Sequence, residues 1–267
     1  MRGAAVRGSL ALSALLLAAS AVAEEPRPLL ISGYDDVLRQ ANNTSVVRAA
    51  IRMMSKDVTY TGMSELYRVI ADDSSTTPSL FVVSATSSGF EGRALRLLQA
   101  EKYPEARLYF RNWITEMSTR KFKLARIGGL LATHPQRKFI AVLDNSDASV
   151  ELAELLRRQF PDRFAAIYLR ATVKRGLPAG TTGFITAYEI AAHEFQAGRM
   201  TREHVERVAR AIIDETVDER LVPPYAHCPG DFDPCTGTES TIERVCADVR
   251  AKVARLCAAH SREGLRQ

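Results

Sequence analysis

Five short, mostly apolar runs decide what this chain can fold into: residues 29–32, 80–84, 107–110, 138–143 and 164–169. The first is closed by Gly33, and short apolar runs of this length read as buried strands rather than helices. Between them lie stretches with apolar residues at helical spacing, at 46–54, 64–71, 91–99, 124–132 and 149–159. This alternation builds a parallel sheet, because a parallel strand is reached only through a crossover that packs on one face of the sheet. The predicted fold class is α/β, a doubly wound parallel sheet with helices on both faces.

Reactive groups in such sheets sit just past the carboxyl ends of the strands. The first run ends in Ser32-Gly33 and is followed by the paired carboxylates of Asp35 and Asp36. The second ends on Ser84 and runs into Ala85-Thr86-Ser87-Ser88-Gly89 before the next helix. A loop of that kind offers backbone N–H groups and a helix dipole to an anion. Lys121 and Lys123 open the helix at 124–132, and the fourth run ends on Asp144. Each feature also has a plain structural reading. An Asp pair suits a turn or helix N-cap, Ser87 or Ser88 a cap, and Lys123 a solvated helix face. Taken in order, Asp35, Ser84, Lys123 and Asp144 converge on one sheet edge. A hydroxyl, an ammonium and carboxylates gathered there suit a phosphate and a magnesium ion, which takes hard oxygen ligands.

Ahead of the first run, Arg2 and Arg7 precede an apolar segment at 10–19, and Ala21-Val22-Ala23 forms a small-residue cleavage site. Residues 1–23 therefore read as a secretory signal peptide, with a retained N-terminal anchor as the alternative. No second long apolar run follows. The mature chain is expected to be periplasmic or secreted, without a transmembrane segment. The formal charge of +5 falls to +3 without those two arginines. Such an excess is ordinary, and no basic run with interleaved aromatics argues for nucleic acid.

In this order the residues resemble the haloacid-dehalogenase (HAD) superfamily of phosphotransferases. More narrowly, they resemble the catalytic domain of the actin-patch-associated phosphatidate phosphatases. The matching stretches are Ile31-Ser32-Gly33-Tyr34-Asp35-Asp36, Thr61-Gly62-Met63-Ser64-Glu65-Leu66-Tyr67, Phe81-Val82-Val83-Ser84-Ala85, Lys123 followed by His134-Pro135, Lys138-Phe139-Ile140-Ala141-Val142-Leu143-Asp144, and Ala166-Ile167-Tyr168-Leu169-Arg170. The Gly-Met-x-x-Leu-Tyr piece and the terminal Ile-Tyr-x-Arg are the specific ones. The resemblance implies a HAD-like, Rossmannoid domain over residues 24–176. It implies a phosphorylated small molecule or lipid headgroup as ligand, with Mg2+ as cofactor. It further implies Ser84, Ala85 and Lys123 as phosphate contacts, Asp35 and Asp144 as metal ligands, and Asp35 with Lys123 as catalytic groups.

Two departures from the family pattern matter. Its first motif is Asp-x-Asp-x-Thr or Val, in which the first Asp attacks phosphorus and the second is the general acid/base. Here Gly33 stands at the nucleophile position, Asp35 at the acid/base position and Val37 at the fifth. Glycine can neither attack phosphorus nor hold magnesium through a side chain. After Asp144, Ser146 and Ser149 replace the family's glycine and aspartate, with Asp147 or Glu151 as candidate substitutes. Two readings follow. In one, the chain is a degenerate member that binds a phosphorylated lipid or other anion. In the other, it is an active magnesium-dependent phosphatase using Asp35 as nucleophile or as base for a water. The second demands a bulge: two residues of extended chain move a side chain about 6–7 Å, whereas transfer geometry tolerates about 1 Å.

Residues 177–267 fall outside the resemblance and read as a helical extension. Residues 177–183 form a Pro/Gly linker, 185–197 and 201–217 are helical, and 221–237 is a proline-rich loop. Ser240-Thr241-Ile242-Glu243 is a capping box for a last helix to about residue 259. His193 and His204 each lack a second ligand at metal spacing. Cys228, Cys235, Cys246 and Cys257 all lie here, and an exported chain with an even count favours two disulfides over zinc. Cys246 and Cys257 are eleven residues apart on one expected helix, about 16 Å along its axis. That is too far to bridge. Each loop cysteine therefore pairs with a helix cysteine. Cys235–Cys246 with Cys228–Cys257 is the preferred pairing, because it lays the loop antiparallel along the helix.

Overall fold

The computed structural model describes residues 26–42, 57–71, 78–116, 118–230, 233–235 and 242–264. The expected signal peptide, the helix at 46–54 and the Ser240-Thr241 half of the capping box lie outside the described residues. Strands β1 (Leu29–Ser32), β2 (Leu80–Ser87), β3 (Ala106–Arg111), β4 (Phe139–Asp144), β5 (Phe164–Arg170) and β6 (Thr182–Phe184) form one sheet. Every pairing is parallel, and the order is β3-β2-β1-β4-β5-β6. The helices are α1 (Met63–Ile70), α2 (Glu91–Ala100), α3 (Thr119–Thr133), α4 (Asp147–Gln159), α5 (Ala187–Gln196), α6 (Arg202–Asp214) and α7 (Glu243–Gly264).

The apolar runs fill both faces of the sheet, as parallel strands must. Leu30, Leu80, Val82, Ile140, Val142 and Tyr168 point into one core, shared with α1, α2, α5, α6 and α7. Their chain neighbours Leu29, Ile31, Phe81, Val83, Ala141, Leu143, Ile167 and Leu169 point into the other, shared with α3 and α4. This is the period-two alternation of a strand realised twice over. Because β1 to β3 step outward one way and β4 to β6 the other, the winding reverses between β1 and β4. A crevice opens at that reversal, past the carboxyl ends of the two strands. Ser32-Gly33 and Asp144 stand on its two sides.

The two specific pieces of the resemblance hold this crevice in shape. In Gly-Met-x-x-Leu-Tyr, the Tyr67 hydroxyl lies 2.8 Å from Ser32 Oγ at the end of β1. Gly62 has φ 85°, and a Cβ there would sit 3.2 Å from Ala187 Cβ and 3.3 Å from Ile212 Cγ1. Only glycine lets α1 begin this close to α5 and α6. In Ile-Tyr-x-Arg, the buried Arg170 donates to the carbonyls of Ile185 and Val37. Its guanidinium stacks 3.7 Å from the Tyr60 ring centroid. Arg170 thus ties the end of β5 to the loop after β1.

Two expectations are corrected. The stretch read as a linker carries β6, whose residues pair Tyr168 with Thr182 and Arg170 with Phe184. Three residues around a central glycine have no periodicity to reveal them; the open edge of β5 makes them a strand. The hydroxyl stretch after Ser84 is not a loop opening directly onto a helix. It continues β2 to Ser87, with a register shift against β3 between Ser84 and Ser87, and a 3-10 turn precedes α2. Ser87 makes no side-chain cap.

In the C-terminal part, Thr186 and Glu189 form a capping box for α5. Thr201 caps α6. Cys228–Cys257 and Cys235–Cys246 are bonded, the preferred pairing, with Cα atoms 5.6 and 5.7 Å apart. His193 accepts no metal role here: its Nδ1 lies 2.7 Å from the Tyr168 hydroxyl.

Candidate functional site

The crevice holds a hollow of about 40 Å³ lined by Gly33, Tyr34, Asp35, Ser84, Ala85, Lys123, Leu143, Asp144 and Ser149. All the positions expected to act on phosphate therefore border one space. They reach it from the loop after β1, from β2, α3 and β4, and Ser149 of α4 completes the lining.

Their present engagements differ. Asp35 is committed on both oxygens. Arg39 Nη2 and Nε donate to its Oδ1 at 2.5 and 3.1 Å. The Thr86 hydroxyl donates to its Oδ2. Ser84 Oγ in turn donates to Thr86 Oγ1 at 3.0 Å and accepts from Thr86 N–H at 3.2 Å. The Ser84 hydroxyl is thus drawn into the chain that holds Asp35. Arg39 also pairs with Asp57 at 3.1 Å, and Asp57 with Arg93 at 2.7 Å. Burial opposes the charge on Arg39, and the Asp35 carboxylate beside it more than compensates, so the guanidinium is held protonated more firmly than usual. Asp35, Arg39, Asp57 and Arg93 form an ion chain of zero net charge.

Lys123 is the opposite case. It stands in the second turn of α3, buried with 8% exposure, and makes no ion pair or hydrogen bond with any described residue. A buried ammonium without a partner is costly. Asp144 uses one oxygen: its Oδ1 accepts from Ser146 N–H at 3.0 Å and from the Ser146 hydroxyl at 2.5 Å. Its Oδ2 makes no hydrogen bond or ion pair with any described residue. Asp147 and Glu151, the candidate substitutes for the family's second aspartate, do not face the hollow. Asp147 pairs with Arg175 and Glu151 with Arg120, with side chains 85% and 56% exposed. Ser149 occupies that place instead.

Gly33 lacks a side chain at the head of the hollow, and the space its Cβ would take is contested. A Cβ built there lies 3.0 Å from Val37 Cγ2. Asp36, the second of the paired carboxylates, is structural. It sits at φ 55° and its Oδ1 accepts from Ala41 N–H, Asn42 N–H and the Tyr225 hydroxyl at 2.9, 2.9 and 2.7 Å. Burial, reinforced by Tyr60 and Asp36, pushes the Tyr225 hydroxyl far above its ordinary pKa, so it stays a donor. The C-terminal loop therefore braces the turn that carries Asp35. Arg39, Thr86 and Tyr225 are the residues that sequence reasoning did not find. Arg39 had a signal in its position four residues after an aspartate, and Thr86 in its place within the hydroxyl stretch after Ser84; Tyr225 had none.

Magnesium binds through one or two carboxylates in a near-octahedral oxygen shell. This donor set fits it poorly. Gly33 contributes no carboxylate, Asp35 is neutralised by Arg39, and among the described residues Asp144 Oδ2 is the one carboxylate oxygen lining the hollow without a partner. Among the described residues no group of three or more His, Cys, Asp or Glu side chains is arranged to hold a metal.

The fold and the site define a class: a HAD-like α/β protein with a polar hollow at the carboxyl ends of its central strands. Residues 29–171, more than half of the chain, match the family described as phosphatidate phosphatase APP1, catalytic domain. The chain belongs to that family. No curated protein and no solved structure matches it. Among the described residues no helix is long and apolar enough to cross a membrane.

Proposed function

We propose that this protein is an exported member of the phosphatidate phosphatase APP1 family that has lost phosphoryl-enzyme chemistry and keeps the hollow to bind one small phosphorylated group, a lipid headgroup or a comparable anion. The observation that carries the reading is the pairing of Gly33 at the nucleophile position with an unpartnered, buried Lys123 across the same hollow. A nucleophilic carboxylate needs a free lone pair directed at phosphorus, and both Asp35 oxygens are spent on Arg39 and Thr86. Lys123 has no such commitment and is satisfied by an arriving anion. At about 10–15 Å³ per water, the hollow holds about three waters, which suits a single phosphoryl group. Singly protonated, that group donates to Asp144 Oδ2 while accepting from Lys123, so the monoanion is the preferred species. Magnesium is dispensable for this binding. The two disulfides suit an oxidising compartment, periplasmic or secreted. Residues 177–267 act as a structural extension that braces the site loop through Tyr225.

The test is thermal. At ten times its Kd a ligand adds RT ln 11, about 1.4 kcal/mol, or roughly 3–6 °C for a chain of this size. Inorganic phosphate, and vesicles containing phosphatidate but not phosphatidylcholine alone, should give this shift without magnesium. Lys123→Ala should erase it. A shift that persists in Lys123→Ala, or none with either ligand, refutes the reading.

A further inference from the structure

The turn at 112–116 leaves the sheet past the carboxyl end of β3, on the same edge as the phosphate hollow. It carries Trp113, 48% exposed, and Ile114, 90% exposed. A single exposed apolar residue is ordinary. Two in succession are not, and no other exposed large apolar side chains among the described residues adjoin in sequence. The turn is built to hold them out. Asn112 Oδ1 accepts from Ile114 N–H at 3.0 Å and from Thr115 N–H at 3.4 Å. The Asn112 carbonyl accepts from Glu116 N–H at 2.8 Å, and Glu116 Oε2 accepts from Asn112 N–H at 2.9 Å. Trp113 Nε1 donates to the carbonyl of Ala85 at 2.8 Å, and Ala85 lines the hollow. The indole thus satisfies its N–H beside the hollow while half of its surface stays open to solvent.

The charges beside the turn favour an anionic surface. Glu116 is neutralised by Arg126 at 2.9 Å, and Glu151 of α4 by Arg120 at 3.2 Å. Arg111 lies 5.7 Å from the Trp113 ring centroid and donates to Thr119 Oγ1 at 2.9 Å, which ties the turn to the start of α3. Lys121, in the first turn of α3, is exposed, and its ammonium makes no ion pair or hydrogen bond with any described residue. An indole is favoured at the boundary between water and lipid, a bare aliphatic tip enters the acyl region, and an unpaired lysine is attracted to acidic headgroups. Two side chains are too small a patch for a stable protein interface, but they suffice for reversible docking when a cation assists.

We propose that this turn inserts Trp113 and Ile114 into the headgroup layer of an anionic bilayer, with Lys121 against the lipid phosphates, and so presents the hollow to a lipid headgroup rather than to free phosphate. The lipid as occupant of the hollow rests on the phosphate-binding reading above; the docking does not. Trp113 is the one tryptophan of the chain, so its emission reports on this turn alone. The experiment titrates the oxidised mature protein with vesicles of phosphatidylcholine and phosphatidylglycerol, an anionic lipid that offers the hollow no phosphomonoester. A blue shift is expected, with quenching by lipids brominated in the upper acyl chain and loss of both at high salt. In co-sedimentation, Ile114→Ser should weaken partitioning about five- to ten-fold, and Lys121→Ala about five-fold. Both positions are exposed, so the fold is kept. Ile114→Ser should keep the thermal shift with inorganic phosphate, which separates a turn that fails to dock from a hollow that fails to bind. An unshifted emission on these vesicles, or equal partitioning of Ile114→Ser, overturns the proposal. So does a blue shift on concentrating the protein without lipid, which assigns the turn to a second copy of the chain.

Discussion

Placing a carboxylate at position 33 tests the proposed loss of the nucleophile, and the packing around Gly33 sets what that substitution costs. The backbone at Gly33 is not left-handed, so the strain is steric. A Cβ meets Val37 Cγ2 at 3.0 Å, Val37 Cβ at 3.7 Å and Val142 O at 3.9 Å. Val37 is fully buried and packed in the larger core, so it cannot swing into solvent. Overpacking of this kind costs about 1–3 kcal/mol, a fall in Tm of roughly 2–12 °C. Val37→Ala removes the clashing methyl at a cost of its own, about 2 kcal/mol from lost burial and cavity. The two changes should therefore couple: Gly33→Asp/Val37→Ala should be more stable than the sum of the single effects by about 1 kcal/mol. Urea denaturation with unchanged m-values measures this. Additivity within about 0.5 kcal/mol, or a Gly33→Asp variant as stable as wild type, would refute the reasoning. A failed revival by Gly33→Asp alone consequently says little about the rest of the pocket; the double variant is the proper vehicle.

Arg39 is 4% exposed and pairs with both Asp35 and Asp57. Arg39→Met should cost about 3–5 kcal/mol by leaving buried carboxylates uncompensated, and adding Asp35→Asn should restore part of it, read from denaturation midpoints. Glu189 gives a pH signature. Its carboxyl is raised from 4.5 to about 7, chiefly by burial, so the folded chain holds the proton more tightly than the unfolded one. Stability from this group is therefore complete below about pH 4.5 and is lost as pH rises through 7, by about 3 kcal/mol. Glu189→Gln should flatten that slope in a series of unfolding curves between those values while keeping the α5 cap.

Much of this was legible in the chain because periodicity reports burial. The runs at β1, β2, β4 and β5 declare strands through apolar residues alone, and their order places Asp35, Ser84, Lys123 and Asp144 on one edge. The cysteine pairing was legible in part: a helix fixes distances, so Cys246 and Cys257, eleven apart, cannot meet, while the choice between the two remaining pairings rested on a preference for an antiparallel loop that the structure bears out. β6 was hidden because its pairing belongs to Tyr168–Arg170, not to its own composition. The state of Asp35 was hidden because its partners are set by tertiary packing. Thr86 lies 51 residues away, and Arg39 reaches back across a turn that is not a helix. Tyr225 is further still, 189 residues from the Asp36 it braces. Local patterns show which residues approach the crevice; the hydrogen bonds that decide whether Asp35 is free are non-local.

The most direct measurement is phosphate release from p-nitrophenyl phosphate and from phosphatidate in mixed micelles, with and without magnesium, for wild type beside Asp35→Asn. The proposed reading, with Gly33 at the nucleophile position and both Asp35 oxygens engaged, predicts no release above the variant under any condition. Magnesium-dependent turnover that Asp35→Asn abolishes would contradict it.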